Sequence, residues 1–123
     1  MRDVLWVGAG GFLGAVARYW VGGWVSRRMG TSFPYGTLVI NVSGSFVLGL
    51  IMGLLDGHAL VPAVRLAMAI GFVGAYTTFS TFSYETMQLL ESGAALLAGA
   101  NVIGSVLAGL AAVVLGLAAG RGL

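Results

Sequence analysis

The residues of this chain that could do chemistry are nearly all uncharged. Five Ser/Thr hydroxyls fall within the seven positions from Thr77 to Ser83, interleaved with Phe79 and Phe82. Asn41 and Asn101 stand in otherwise apolar runs, each spaced four residues from a hydroxyl: Thr37, Asn41 and Ser45 in one run, Asn101 and Ser105 in the other. An amide in apolar surroundings loses several kcal/mol unless hydrogen bonds replace its water, so both asparagines are expected to face the protein interior. Amide N–H and hydroxyl groups donate to an anion without any fixed charge, and an aromatic ring is positive at its edge. Such a shell suits an ion that must be stripped of water and then released, because a full buried positive charge would hold it. Small, hard anions fit best.

Other chemistries find little support. No base and nucleophile pair and no multi-ligand metal cluster is apparent, so an enzyme is not expected. His58 sits in a loop beside Asp56 and Gly57 with no second His, and is assigned no role. Cysteine is absent, which leaves no disulfide framework and no thiolate site.

The elements that must position these groups are read from where charge is missing. Of 123 residues 59% are hydrophobic and 8% charged, whereas soluble domains run near ~25% charged. Uncharged runs extend from Met29 to Leu55, Leu66 to Tyr84 and Ser92 to Gly120, each at or near the ~20 residues that span hydrocarbon. A fourth, Val4 to Val25, is interrupted by Arg18 alone, at a cost of ~2.5 to 3.5 kcal/mol on insertion scales. The membrane segments continue to the end of the chain, so the first is expected to be retained rather than cleaved as a signal peptide. Runs such as Leu48 to Met52 do not alternate, which argues against a membrane barrel. The reading is an all-α membrane protein with a single transmembrane domain over residues 1–123 and helices at about 4–25, 36–55, 64–90 and 94–119. The loops around Ser26 to Tyr35, Asp56 to Ala63 and Glu91 to Gly93 are short, with Pro34 and Pro62 placed where helices begin.

Four spans put both termini on one side, where Arg2, Arg65 and Arg121 face Arg27 and Arg28 across the membrane, three against two. Positive residues orient membrane proteins, so this near tie predicts insertion in both orientations. The net charge of +2 comes from scattered Arg residues, and nucleic acid is not an expected partner. Glycine occupies 21 of 123 positions, well above a usual ~7%, and small residues recur at Gly10 and Gly14, Gly49 and Gly53, and Ser105 and Gly109. That spacing lets helices approach closely, and four short spans enclose little interior, so an oligomer follows, simplest as a two-fold dimer.

On the second span Thr37, Asn41, Ser45, Gly49 and Gly53 form one stripe, and Asn101, Ser105 and Gly109 repeat it on the last. Such stripes serve either as interhelical glue or as the wall of a wet path. Within Gly71 to Tyr84 two Gly and a run of Thr are poor helix formers; the segment is either unwound near mid-membrane or a continuous helix whose hydroxyls bond back to the preceding turn. An unwound segment would present carbonyls to cations and helix N-termini to anions. Arg18 and Glu85 are the ionisable groups within or beside spans. A snorkelling Arg and an interfacial Glu are the plain readings, with Arg18 drawing anions toward a vestibule as the sharper one.

Three motifs, Gly10 to Tyr19, Gly36 to Phe46, and Gly-x-x-Gly-x-x-Thr-Thr-Phe-Ser-Thr-Phe at Gly71 to Phe82, together resemble the small fluoride channels called Fluc or CrcB. The resemblance covers nearly the whole chain. It implies an antiparallel, dual-topology homodimer of four-helix subunits with a broken third helix and two fluoride pores in the cell (inner) membrane. It implies pore roles for Asn41, Phe79 and Phe82, with Thr37 and Ser105 along a polar track and Glu85 at an acidic position of the family; Arg18, Glu85 and Asn101 are candidates for vestibule or accessory positions. Asn101 stands where some members carry Tyr. A structural Na+ at the dimer interface would be held by the backbone carbonyls of Gly74 and Thr77 from each subunit. The implied activity is passive exit of fluoride from the cytoplasm, where HF that entered uncharged has dissociated. Two rival readings are a small multidrug exporter, which would need a membrane-embedded carboxylate that the first span lacks after Asp3, and a non-conducting scaffold subunit.

Overall fold

A computed structural model describes residues 1–57 and 61–123; His58 lies outside the described residues. The order is α1 (Arg2–Met29), α2 (Tyr35–Gly57), α3 (Pro62–Arg65), a π-helical stretch Leu66–Val73, α4 (Gly74–Tyr76), α5 (Phe79–Glu91) and α6 (Ala95–Gly122). Among the described residues four helical spans are long and apolar enough to cross a membrane, Pro62–Glu91 counting as one. The chain is an all-helical, multi-pass membrane protein.

Local chemistry sets the ends of these helices. α1 continues past the apolar run to Met29, where Arg27 and Arg28 meet the negative end of the helix dipole. Gly30 then breaks it at φ 81°, a left-handed value that disfavours a side chain, and Gly93 turns the chain between α5 and α6 at φ 83°. Pro62 is the first helical residue of α3, where its missing N–H costs nothing. Near the end of α1 the Arg28 guanidinium lies 5.2 Å from the centroid of the Trp24 ring, and Trp20 and Trp24 point outward, as aromatic side chains do at a membrane surface.

Two glycine-lined seams hold the bundle. α2 packs most extensively on α6, and α1 on the π-helical stretch. Cβ atoms added at Gly49 or Gly116 would overlap the carbonyls of Val113 and Phe46 respectively, so each helix lays bare backbone against the other. In the second seam Cβ atoms at Gly10 and Gly14 would overlap the carbonyls of Ala67 and Phe72. Lipid offers apolar side chains no less than a neighbouring helix does, so close backbone approach is what favours association here. Side chains such as Phe12, Trp20, Leu96 and Leu110 accordingly face outward.

Candidate functional site

Beyond Tyr76 the third span loses helical geometry for two residues. Thr77 (φ −79°, ψ 154°) and Thr78 (φ −148°, ψ 113°) are extended. Thr78 caps α5, its Oγ1 accepting the Thr81 N–H at 3.2 Å. Asn41 on α2 meets the same residue with both ends of its amide. The Thr78 N–H donates to Asn41 Oδ1 at 2.8 Å, and Asn41 Nδ2 donates to the Thr78 carbonyl at 3.1 Å. Just before the extended pair, the buried Tyr76 hydroxyl lies 3.0 Å from Ser43 Oγ. A Cβ at Gly44 would collide with the Thr77 methyl, so α2 hugs this segment from Asn41 to Gly44.

One turn before Asn41, the buried Thr37 donates to Glu85 Oε1 at 3.0 Å. Among the described residues Glu85 Oε2 is buried without a hydrogen-bond partner. Both groups line an open cleft of about 840 Å³ that also takes in Arg18, Thr78, Thr81 and Gln88. The cleft descends from the Gly30 to Pro34 loop, at one end of the bundle, to the extended Thr78. Arg18 thus stands over the same space as Thr37 and Glu85.

The remaining candidates form two further groups. The Phe79 and Phe82 rings lie 5.7 Å apart, tilted by 43°; Phe79 is 77% exposed on the subunit. On α6, Asn101 is 2% exposed and donates to Thr86 Oγ1 at 3.0 Å, Thr86 donates to the Phe82 carbonyl at 2.8 Å, and Ser105 donates to Asn101 Oδ1 at 3.3 Å. Asn101 and Thr37 therefore bond to the successive α5 residues Thr86 and Glu85, and Ser105 bonds to Asn101 within α6. Gly74 is exposed, with open space where a Cβ would stand, and Thr77 is half-buried. Thr78 and Thr86 carry much of this bonding, yet their sequence signal is only that of two more hydroxyls near a Thr-rich run.

The family model for CrcB-like protein, Camphor Resistance (CrcB), matches residues 5–117. The chain belongs to this family. A relative from Acidobacterium capsulatum, named fluoride-specific ion channel FluC, is 52% identical over 118 residues, 95% of this chain and 94% of the relative. Relatives of the same name from Geotalea daltonii and Citrifermentans bemidjiense are 48% and 46% identical and cover 98% and 100% of this chain. The matched region contains the extended threonines, the Asn41 contact and both phenylalanines.

Proposed function

We propose that this chain is the subunit of a fluoride channel, which lets the anion leave the cytoplasm passively across the inner membrane. It is not an enzyme. The observation that carries the reading is a cleft that enters the bundle from one end, reaches the extended Thr78 and is lined by many uncharged donors, in a chain that aligns end to end with relatives named for fluoride conduction. The amide of Asn41, which has a second N–H, and the ring edges of Phe79 and Phe82 replace water around a compact anion, joined by the hydroxyls of Thr37 and Ser105 when these turn from Glu85 and Asn101 toward the passing ion. No lysine or arginine binds it too tightly beyond Arg18 at the vestibule. Glu85 and Asn101 hold the hydroxyls of the track in place.

The pore needs a second copy. Irregular backbone within hydrocarbon is tolerated only where protein covers it or where it lines a water-filled cavity, and on a single subunit Gly74, Phe79 and Ser80 are exposed beside the extended threonines. A homodimer with this face at its centre resolves the conflict, and the near-balanced arginines favour an antiparallel, dual-topology arrangement.

The carbonyls of Gly74 and Thr77 suit a central Na+. A continuous helix would give the Thr78 N–H to the Gly74 carbonyl and the Thr81 N–H to the Thr77 carbonyl; both are diverted, to Asn41 Oδ1 and Thr78 Oγ1. Two copies would offer four such oxygens, and the ion when bound would screen their dipoles and tie the subunits together.

The test is efflux from vesicles loaded with potassium fluoride, started with valinomycin and followed by a fluoride electrode. Rapid fluoride loss is expected, with little chloride loss from matched vesicles, and Phe82→Leu should slow it. Vesicles that retain fluoride would favour a non-conducting scaffold.

A further inference from the structure

Asn41 is read above as part of the pore wall, but its hydrogen bonds describe a second task. Its side-chain amide offers Thr78 one acceptor and one donor, at 2.8 and 3.1 Å, the same pair of groups that a neighbouring peptide would offer. A buried backbone N–H must find an acceptor. If Asn41 did not accept from Thr78, the acceptor that helical geometry offers is the Gly74 carbonyl four residues back, and that bond is the one that would continue α4 into α5. The neighbouring contacts brace the same geometry. Ser43 holds Tyr76 on the near side of the extended pair, and Gly44 lets the Thr77 methyl lie against α2.

We propose that Asn41 is a positioning residue which substitutes for a peptide group at Thr78, keeps the third span from closing into a continuous helix, and so leaves the Gly74 carbonyl available to a hard monovalent cation. The proposal rests on the cation reading of the preceding subsection. It makes Asn41 the physical link between the anion path and the centre of the dimer, because the same amide borders the one and holds open the other.

The experiment compares thermal unfolding of the purified chain in sodium chloride and in N-methylglucamine chloride at equal concentration. Wild type should unfold at a higher temperature in sodium, since a ligand bound only to the folded state stabilises it. Asn41→Leu, which removes both hydrogen bonds at similar volume, should abolish that difference as well as slow fluoride efflux. Phe82→Leu should slow efflux and keep the full sodium difference, which separates damage to the pore from loss of the cation site. If Asn41→Leu does not fold, Asn41→Ser, polar but too short to reach Thr78, carries the same expectation. A sodium difference that survives in the Asn41 variant, or that is missing from wild type, overturns the proposal. Wild-type vesicles that pass no fluoride while the Asn41-dependent sodium difference persists would support it and overturn the channel reading instead.

Discussion

The two halves of α2 follow one stripe of four-residue spacing and do opposite things with it. In its first half Thr37 and Asn41 bond across to Glu85 and Thr78, Ser43 beside the stripe bonds to Tyr76, and Ser45 bonds back to the Asn41 carbonyl. Its second half, Gly49 and Gly53, has no side chains and lays its backbone against Val113 and Leu117 of α6. Polar contact in the one half holds a span whose backbone is interrupted; close contact in the other holds a span that is not. Asn41 and Thr78 exchange two directional bonds that fix where a backbone break falls, whereas the glycine seam fixes only how near two regular helices stand.

The harshest way to break this comparison is to fill the glycine seam. A Cβ at Gly116 would overlap the Phe46 carbonyl, and because the neighbour is backbone on a rigid helix, Gly116→Leu must push α2 and α6 apart. Overpacking a core typically costs ~1 to 3 kcal/mol even where side chains can shift; here they cannot, and most of the folded protein should be lost, as size-exclusion chromatography after extraction would show. A variant that elutes normally and conducts would mean that the seam has slack.

Damage to the polar half should spare the fold and fall on conduction. Asn41→Leu leaves the Thr78 N–H and carbonyl to find other partners, and each unsatisfied buried group costs ~1 to 3 kcal/mol. Fluoride efflux is expected to slow by about 10- to 100-fold, the rate equivalent of ~1.4 to ~2.8 kcal/mol, with the yield of folded protein little changed. Equal losses of yield from Asn41→Leu and Gly116→Leu would erase the distinction between the halves.

The sequence revealed these two halves unequally. The spans were legible because hydrocarbon admits few charges, so gaps between Asp, Glu and Arg mark helices almost directly. The α2 stripe was legible because helical spacing sorts faces. What lies opposite a face is not encoded in spacing. Nothing in the stretch around Asn41 announces Thr78 as its partner 37 residues on, nor Thr86 as the acceptor for Asn101. The π-helical stretch Leu66–Val73 reads as an ordinary apolar helix, because its wider turn goes with backbone contacts to Gly10 and Gly14 and not with any residue of its own. The run of threonines left two local outcomes open, and a residue on another helix bears on which is adopted.

A milder change at the same end of α2 grades the polar half. Thr37→Val removes the donor to Glu85 Oε1, beside an Oε2 that already lacks a partner among the described residues. One hydrogen bond is lost where Asn41→Leu loses two. Efflux should fall by about 5- to 10-fold, or ~1 to ~1.4 kcal/mol. A larger loss than that of Asn41→Leu would place the sensitive point of the path at Glu85 and not at the extended threonines.

The smallest effect belongs to the most conspicuous interaction between α2 and α6. At the end of the bundle that carries both termini, Arg121 and Asp56 form an ion pair at 2.8 Å, joining the same two helices as the glycine seam. Both side chains are more than half exposed, at 60% and 51%, and exposed pairs contribute ~0.2 to 1 kcal/mol in double-mutant cycles because water and salt screen them. Asp56→Asn should therefore change denaturant unfolding by less than ~1 kcal/mol and leave efflux unaltered. The charge lies beyond the hydrocarbon, where water competes for it; the glycines lie within, where close-packed backbone has no such competitor. Should Asp56→Asn prove as damaging as Gly116→Leu, the ion pair would have to be setting the register of α6 on α2, and the glycines would only be following it.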